Sequence, residues 1–449
     1  MKPAAPARIV AAHVLERVLR DAAFADLVLD AELSRRRLAP RDVALATELV
    51  YGTLRWQRYL DWILQPHSRR PIDGLDVRPL VLLRLAAYQI AFLERIPAFA
   101  AVSDAVSLAR ASEKPGVDGF VNAVLRSFAR RGAREREPAP PGDRVEALAI
   151  RYSHPTWLAA RWIARFGEDE AIALMRAMNE RPPLTIRANT LRTTREALAA
   201  RLRADEGLDV RPTAYADEGL DVAHGGMPAG WRVFDAGLFA VQDEASMLVS
   251  HLLGPRPGDT VADVCAAPGT KTTHMAQLME NRGRILALDP QPARLARVKE
   301  AAARLGVTLV ETTDATAEAV APRFADACDA VLVDAPCSNL GVLRRNPEVK
   351  WRRGPSDVTA NADRQRAIVS AAATMVRPGG ALVYATCSLE PEENDEVAAW
   401  LVATHRDFSI AAPPAFPIPP DRVGFVRCLP HRHGTDGFTA VRFIRRDGV

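Results

Sequence analysis

Val261 to Thr273 reads Val-Ala-Asp-Val-Cys-Ala-Ala-Pro-Gly-Thr-Lys-Thr-Thr, a short apolar strand, a turn of small residues and the start of a helix. Few folds accommodate that order. Asp263 alternates with apolar neighbours, Cys265 to Gly269 carry little side-chain bulk, and a helix from Thr270 presents free backbone N–H groups to whatever the turn holds. About twenty residues beyond Gly269, the apolar run Ile285 to Leu288 ends in Asp289, the spacing at which a second parallel strand brings a carboxylate to a ribose. An α/β site for a nucleotide-like cofactor is expected.

Ordinary packing would explain one such turn. Three more strand ends carry polar residues in register: Asp314 after Val307 to Val310, Asp334 after Val331 to Val333, and Thr386-Cys387-Ser388 after Ala381 to Ala385. Open parallel sheets bind their ligands at those carboxyl ends. The pattern closes with the apolar strand Gly437 to Ile444, so a doubly wound α/β domain is expected over residues 236–449.

By the usual length prior, the 449 residues are roughly three domains. Residues 8 to about 130 show helical periodicity in Ile9 to Leu19, Leu27 to Leu33, Val43 to Tyr51, Leu60 to Leu64, Leu80 to Phe92, Phe99 to Ala109 and Phe120 to Phe128. An all-helical domain over 1–135 follows. Arg131 to Asp143 is proline-rich without an apolar face and reads as a linker. Residues 144–235 combine helical patterns at Pro155 to Phe166, Ala171 to Met178 and Thr194 to Arg203 with strand-like Leu184 to Ala188 and Leu208 to Val210. This is a small α+β unit. Beside its first strand, Arg187 and Asn189 are expected to be solvated loop residues rather than contacts to phosphate or base.

No apolar run approaches the roughly 18 residues of a membrane span, and Met1 to Asp21 is amphipathic rather than a signal peptide. A cytoplasmic protein without membrane attachment is expected. Residues 1 to 140 hold 22 Lys/Arg against 16 Asp/Glu, whereas the remainder holds 37 against 39. The basic front end favours a polyanionic partner. Only five of the 59 cations are lysine, and two of these, Lys271 and Lys350, lie in or near the strand-end motifs.

The five cysteines, Cys265, Cys328, Cys337, Cys387 and Cys428, form no C-x-x-C pair, so neither disulfides nor zinc are suggested. Cys328 and Cys428 read as ordinary buried thiols. His431 and His433 lack a third ligand and read as turn residues, so no metal is expected. Asp334-Ala-Pro-Cys337-Ser338 and Thr386-Cys387-Ser388 end two consecutive parallel strands. Were these neighbours, both thiols would face one pocket.

A thiol nucleophile beside a nucleotide-like cofactor suits one demanding reaction. Carbon 5 of cytosine is too electron-poor to take a methyl group directly, but a thiolate added at carbon 6 makes carbon 5 nucleophilic. The carbon 5 proton must then leave and the thiolate be expelled, which gives a second acid/base group a task. Pro391-Glu392-Glu393 reads as a helix start near Cys387, its amides favouring a thiolate and its glutamates opposing one.

Cys265-Ala-Ala-Pro-Gly-Thr-Lys271, Asp334-Ala-Pro-Cys-Ser338 and Thr386-Cys387-Ser388 resemble the signatures of the RNA cytosine-5 methyltransferases that use S-adenosylmethionine. Arg41-Asp42, Tyr51-Gly-Thr-Leu-Arg55, Leu83-Arg-Leu85, Tyr88-Gln89 and Phe120-Val-Asn-Ala-Val-Leu-Arg126 resemble the NusB-like helical RNA-binding domain. That pairing is similar to the RsmB (Sun/Fmu) family, which methylates small-subunit (16S) ribosomal RNA, and the similarity covers nearly the whole chain. The resemblance implies a Rossmann-like methyltransferase domain preceded by the α+β and NusB-like domains. It implies Cys387 as nucleophile, Cys337 in product release, and Asp334 on cytosine or cofactor. It also implies cofactor contacts from Cys265, Ala266, Ala267, Pro268, Gly269, Thr270, Lys271, Asp289, Asp314 and Asp334. Ile186-Arg-Ala-Asn-Thr190 and Leu429 to Phe438 resemble further family segments. Thr270 stands where a second glycine is common, and Asn339-Leu340 follow Cys337-Ser338 where small residues are usual. A monomer acting on small-subunit rRNA is expected. The alternatives are a tRNA cytosine-5 methyltransferase and a non-catalytic assembly factor.

Overall fold

The computed structural model describes residues 4–111, 114–130, 138–223, 228, 230–411, 413 and 415–447. They form two compact units, one of residues 1–180 with 343–352, the other of 181–342 with 353–449.

The first unit is helical. Its helices Pro6–Arg20, Ala25–Arg36, Pro40–Leu64, Val77–Phe92, Ala98–Arg110 and Val117–Arg130 bury apolar stripes that include Leu49, Leu54, Leu83, Leu125 and Phe128. Pro6 and Pro40 open their helices, where a missing N–H costs nothing. The periodicity at 43–51 and 60–64 belongs to one 25-residue helix. Gly52 does not break it. A Cβ there would lie 2.1 Å from Tyr88 Cζ, so this glycine is a notch for a ring.

Helices Arg144–Arg151, Thr156–Phe166 and Glu168–Ala177 complete the unit. Arg58 ties the long helix to the turn between the first two, donating from Nη1 to the His154 carbonyl at 2.7 Å. Most of the expected linker, residues 131–137, lies outside the described residues. Residues 343–352 join this unit through side-chain hydrogen bonds to its backbone. Glu348 Oε1 accepts from Ala25 N at 3.1 Å, Trp351 Nε1 donates to the Leu54 carbonyl at 2.8 Å, and Arg352 Nη2 donates to the Val18 and Ala23 carbonyls. Lys350 is wholly buried, with Nζ 2.9 Å from Asn179 Oδ1, and burial pushes its pKa well down. It is a structural tie of the helical unit.

The second unit holds two sheets. β1 (Leu184–Ala188), β2 (Asp209–Pro212), β3 (Gly219–Ala223) and β4 (Phe239–Val241) form an antiparallel sheet in the order β2-β3-β1-β4. The Arg195–Glu206 helix packs Leu198 and Leu202 with Ile186, Leu220 and Phe239. The apolar pattern of the sequence does not single out β3 as a strand.

The larger sheet contains β5 (Thr260–Asp263), β6 (Arg284–Leu288), β7 (Val310–Thr313), β8 (Cys328–Asp334), β9 (Val376–Thr386), β10 (Phe408–Ile410), β11 (Phe425–Cys428) and β12 (Phe438–Arg445). Its order is β10-β12-β9-β8-β5-β6-β7, with β11 paired to β12. β7-β6-β5-β8-β9 are parallel, and β12 returns antiparallel to β9. Alternate residues pack to opposite faces, Val261, Ile285 and Leu332 to one and Ala262, Leu286 and Val331 to the other. This is the expected Rossmann-like arrangement. β7 starts later than the apolar run predicts, because Val307 is held by the helix before it: Gly306 takes a left-handed φ of 75° and Val307 N donates to the Ala302 carbonyl.

Candidate active site

β5 runs from its neighbour β6 to β8 on its other side, so the chain reverses its winding direction beside β5. Crevices at such reversals collect ligands. Asp263 ends β5, Asp334 ends β8, and the Cys265–Gly269 turn leads into the Thr270–Leu278 helix. Gly269 has a φ of 101°, which a side chain would strain, while Thr270 begins the helix without a positive φ. The departure from the usual second glycine therefore costs no backbone strain.

Lys271 crosses the crevice. Its Nζ donates to Asp334 Oδ2 at 2.7 Å and lies 4.8 Å from the centre of the Phe438 ring. Asp263 is buried. Its Oδ2 accepts from Thr272 Oγ1 at 2.7 Å, but Oδ1 has no hydrogen-bond partner among the described residues. Burial, opposed by the Thr272 hydroxyl and assisted by Asp334, raises its pKa to about 7. Asp289, also buried, accepts from Gln291 N at 2.9 Å and pairs with Arg294 at 3.2 Å. Asp314 is exposed immediately after β7. Cys265, beside three carboxylates, has its thiol pushed well up, chiefly by burial.

Arg187 and Asn189 depart from expectation, because both are wholly buried. Arg187 donates to the Thr270 carbonyl at 2.7 Å, to Thr273 Oγ1 at 3.1 Å, and to Gln242 Oε1. Asn189 donates to the Gly237 and Leu305 carbonyls and accepts from Gln277 Nε2 at 2.7 Å. A guanidinium can leave water only where several acceptors surround it, and here they include the start of the Thr270–Leu278 helix. Both residues therefore brace the site from within.

β8 and β9 are hydrogen-bonded neighbours, with Asp334 opposite Ala385. Their following loops bring Cys337 Sγ within 3.3 Å of Cys387 Sγ. Asn339, at a φ of 63° that asparagine tolerates, places Oδ1 3.1 Å from the Cys387 sulfur and 3.4 Å from that of Cys337. The Cys337 thiol is pushed well up, first by the Cys387 sulfur and then by burial. It is the more buried member of the pair. Cys328 and Cys428 are buried thiols, as expected.

Glu393 carries a support that sequence reasoning missed. Pro391–Glu393 is a single 3₁₀ turn, with the α-helix beginning at Asp395, so Glu393 turns inward. Its Oε1 accepts from Ser338 N at 2.7 Å and its Oε2 from Ser338 Oγ at 2.5 Å. It thereby clamps the loop that carries Cys337. Burial raises its pKa, partly offset by the Ser338 bonds. Gly341 and Gly437 pack the loop from its other end, for a Cβ on Gly341 would lie 2.2 Å from the Gly437 carbonyl oxygen. Glu393→Ala is expected to destabilise the protein by about 1–3 kcal/mol, because it leaves Ser338 donors unpaired in the interior. Denaturant titration of the two proteins checks this.

The family 16S rRNA methyltransferase RsmB/F matches residues 250–444, the NusB family residues 5–130, and the Methyltr_RsmF/B-like ferredoxin-like domain residues 154–227. The chain is 37% identical over 439 residues to the probable ribosomal RNA small subunit methyltransferase B of Bacillus subtilis (strain 168), covering 96% of this chain and 97% of that one. It belongs to the ribosomal RNA small subunit methyltransferase B family. The Sodalis glossinidius (strain morsitans) member is 33% identical, with 98% of this chain and 97% of the relative covered. The crystal structure of PH0851 superposes with a TM-score of 0.85 at 28% identity, covering 99% of this chain and all of that one. NSun6 from Pyrococcus horikoshii, solved with SFG, gives 0.60 at 26% identity over 66% of this chain and 99% of its own. The family member described here is an S-adenosylmethionine-dependent methyltransferase with the NusB and ferredoxin-like domains of its relatives.

Proposed function

We propose that this enzyme methylates carbon 5 of a cytosine in small-subunit (16S) rRNA through a covalent bond between Cys387 and carbon 6. The juxtaposition of Cys337 and Cys387 at 3.3 Å, beside Asp334, carries the reading. S-adenosylmethionine supplies an electrophilic methyl group when bound. The residues fit such a cofactor: Asp263 offers a buried oxygen without a partner among the described residues, Asp289 follows the next strand, and the Cys265–Gly269 turn keeps side-chain bulk small. Cys265, Ala266, Ala267, Pro268, Gly269, Thr270, Lys271, Asp289, Asp314 and Asp334 are the proposed contacts.

Cys387, the more accessible thiol, adds to carbon 6 and makes carbon 5 nucleophilic. Asp334, oriented by Lys271, bonds the polar edge of the base. Cys337 takes part in product release, in which carbon 5 gives up its proton to a base and the bond between carbon 6 and sulfur breaks, returning Cys387 as a thiolate. Asn339 orients both thiols from a single oxygen. The target base must leave its stack to reach them.

No helix among the described residues is long and apolar enough to cross a membrane. An enzyme that acts on ribosomal RNA works in the cytoplasm, where that substrate is. Transfer of labelled methyl to unmodified small-subunit rRNA and, separately, to tRNA tests the substrate. Label in 5-methylcytidine from rRNA alone is expected. Label from tRNA alone would redirect the substrate, and label from neither, with cofactor bound, would favour an assembly factor.

The helical unit is proposed to grip RNA through its basic surface. Arg41, Arg69 and Arg126 are exposed on it. Changing all three to glutamine is expected to flatten the dependence of log affinity on log salt by about 0.7–0.9 for each phosphate that is no longer neutralised. A filter-binding series in potassium chloride reads the slope, and an unchanged slope assigns those arginines no role on RNA.

A further inference from the structure

Glu218, His251 and His274 meet away from the two cysteines, although they come from three separate elements. Glu218 immediately precedes β3, His251 lies on the Glu244–Leu253 helix, and His274 lies on the Thr270–Leu278 helix. Glu218 Oε1 is 2.8 Å from Nε2 of His251 and 2.8 Å from Nε2 of His274, and one ligand atom from each residue lies within 4.8 Å of the others. The two rings pack edge to face, with centroids 5.1 Å apart.

Hydrogen bonding alone leaves this cluster incomplete. His274 is 1% exposed, yet neither of its ring nitrogens has a well-aligned hydrogen-bond partner among the described residues. A buried imidazole with Nδ1 unpaired and Nε2 poorly aligned on its carboxylate is costly, whereas a ring-nitrogen lone pair directed at a metal ion is satisfied. His251 is partly exposed and leaves an approach from solvent.

We propose that Glu218, His251 and His274 form a site for a divalent transition-metal ion of the zinc or cobalt type. Two imidazoles and one carboxylate are a donor set that such ions accept, with water completing the coordination. Tetrahedral coordination would place donor atoms roughly 3.3–3.5 Å apart, a small opening of the present cluster. The buried Arg187 guanidinium lies near enough to oppose added positive charge. The two imidazole donors select against magnesium and calcium, whose binding depends on oxygen ligands. An ion here would fasten β3 and the Glu244–Leu253 helix to the helix that follows the cofactor turn.

The test uses the full chain, freed of metal by chelation and titrated with cobalt(II), followed by visible absorption. The expected result is saturation at one equivalent with nitrogen/oxygen-type bands, displaced by zinc and unaffected by excess magnesium. Glu218→Gln and His251→Gln should each weaken binding at least tenfold. His251→Gln, at a partly exposed position, keeps the test decisive if Glu218→Gln does not fold. Absence of saturable binding, wild-type binding by both variants, or sulfur-to-cobalt charge-transfer bands that place the ion on the cysteines would each overturn the proposal.

Discussion

Cys387→Ala is expected to abolish methyl transfer, by a factor on the order of a thousand or more, while S-adenosylmethionine binding stays within about twofold of wild type. The separation follows from position. Cys387 lies beyond β9 with its sulfur beside Cys337 and Asn339, whereas the proposed cofactor turn lies beyond β5. Cys337→Ala is expected to behave differently, accumulating a covalent protein–RNA complex because addition proceeds and release fails. Denaturing gel electrophoresis of each variant with unmodified rRNA and cofactor distinguishes the two. An adduct with Cys387→Ala and none with Cys337→Ala would exchange the roles. An adduct with neither would remove the covalent route while leaving the methyltransferase fold and cofactor in place.

Much of this site was legible because its residues are consecutive along the chain. The turn Cys265 to Lys271 and the motifs around Cys337 and Cys387 each contain their own chemistry, and strand periodicity alone places all three at the carboxyl ends of parallel strands. What was not legible depends on pairing across distance. Arg187 is charged and sits at a strand end, so it reads as solvated; only the fold surrounds it with Gln242, Thr270 and Thr273. Glu393 reads as one of two acidic residues opening a helix, but the 3₁₀ turn rotates it inward onto Ser338, fifty-five positions earlier.

Asn339 was visible as a departure from family habit, while its function as a shared acceptor for two sulfurs required both loops in place. Residues 343–352 show the same limit at larger scale. They follow the Cys337 motif in sequence, yet Glu348, Lys350, Trp351 and Arg352 satisfy partners within the helical unit. Periodicity cannot assign a short segment to a core formed hundreds of positions away. Nor could spacing suggest the Glu218, His251 and His274 cluster, whose members share no local pattern.

Asp263→Asn is expected to change how stability depends on pH. Burial raises the folded-state pKa of Asp263 from 3.8 to about 7, so folding favours the neutral acid. Relative to a non-titrating residue, its contribution is fully present below the unfolded pKa and is lost as pH rises through about 7. A shift of this size corresponds to roughly 4 kcal/mol across the window. Asparagine keeps a hydrogen-bonding group beside Thr272 without acquiring charge. Urea unfolding from pH 4.5 to 8.5 should therefore show wild type losing stability relative to Asp263→Asn as pH rises, most steeply between pH 5 and 7. If the unpartnered Oδ1 accepts a hydrogen bond from S-adenosylmethionine, the cofactor favours the carboxylate, and its binding near pH 7 should release protons. Calorimetry in buffers of different ionisation enthalpy measures that release, which should fall in Asp263→Asn. Parallel stability curves for the two proteins would show that Asp263 does not hold its proton in the folded chain, and proton release unchanged by the substitution would place the cofactor-linked proton on another group.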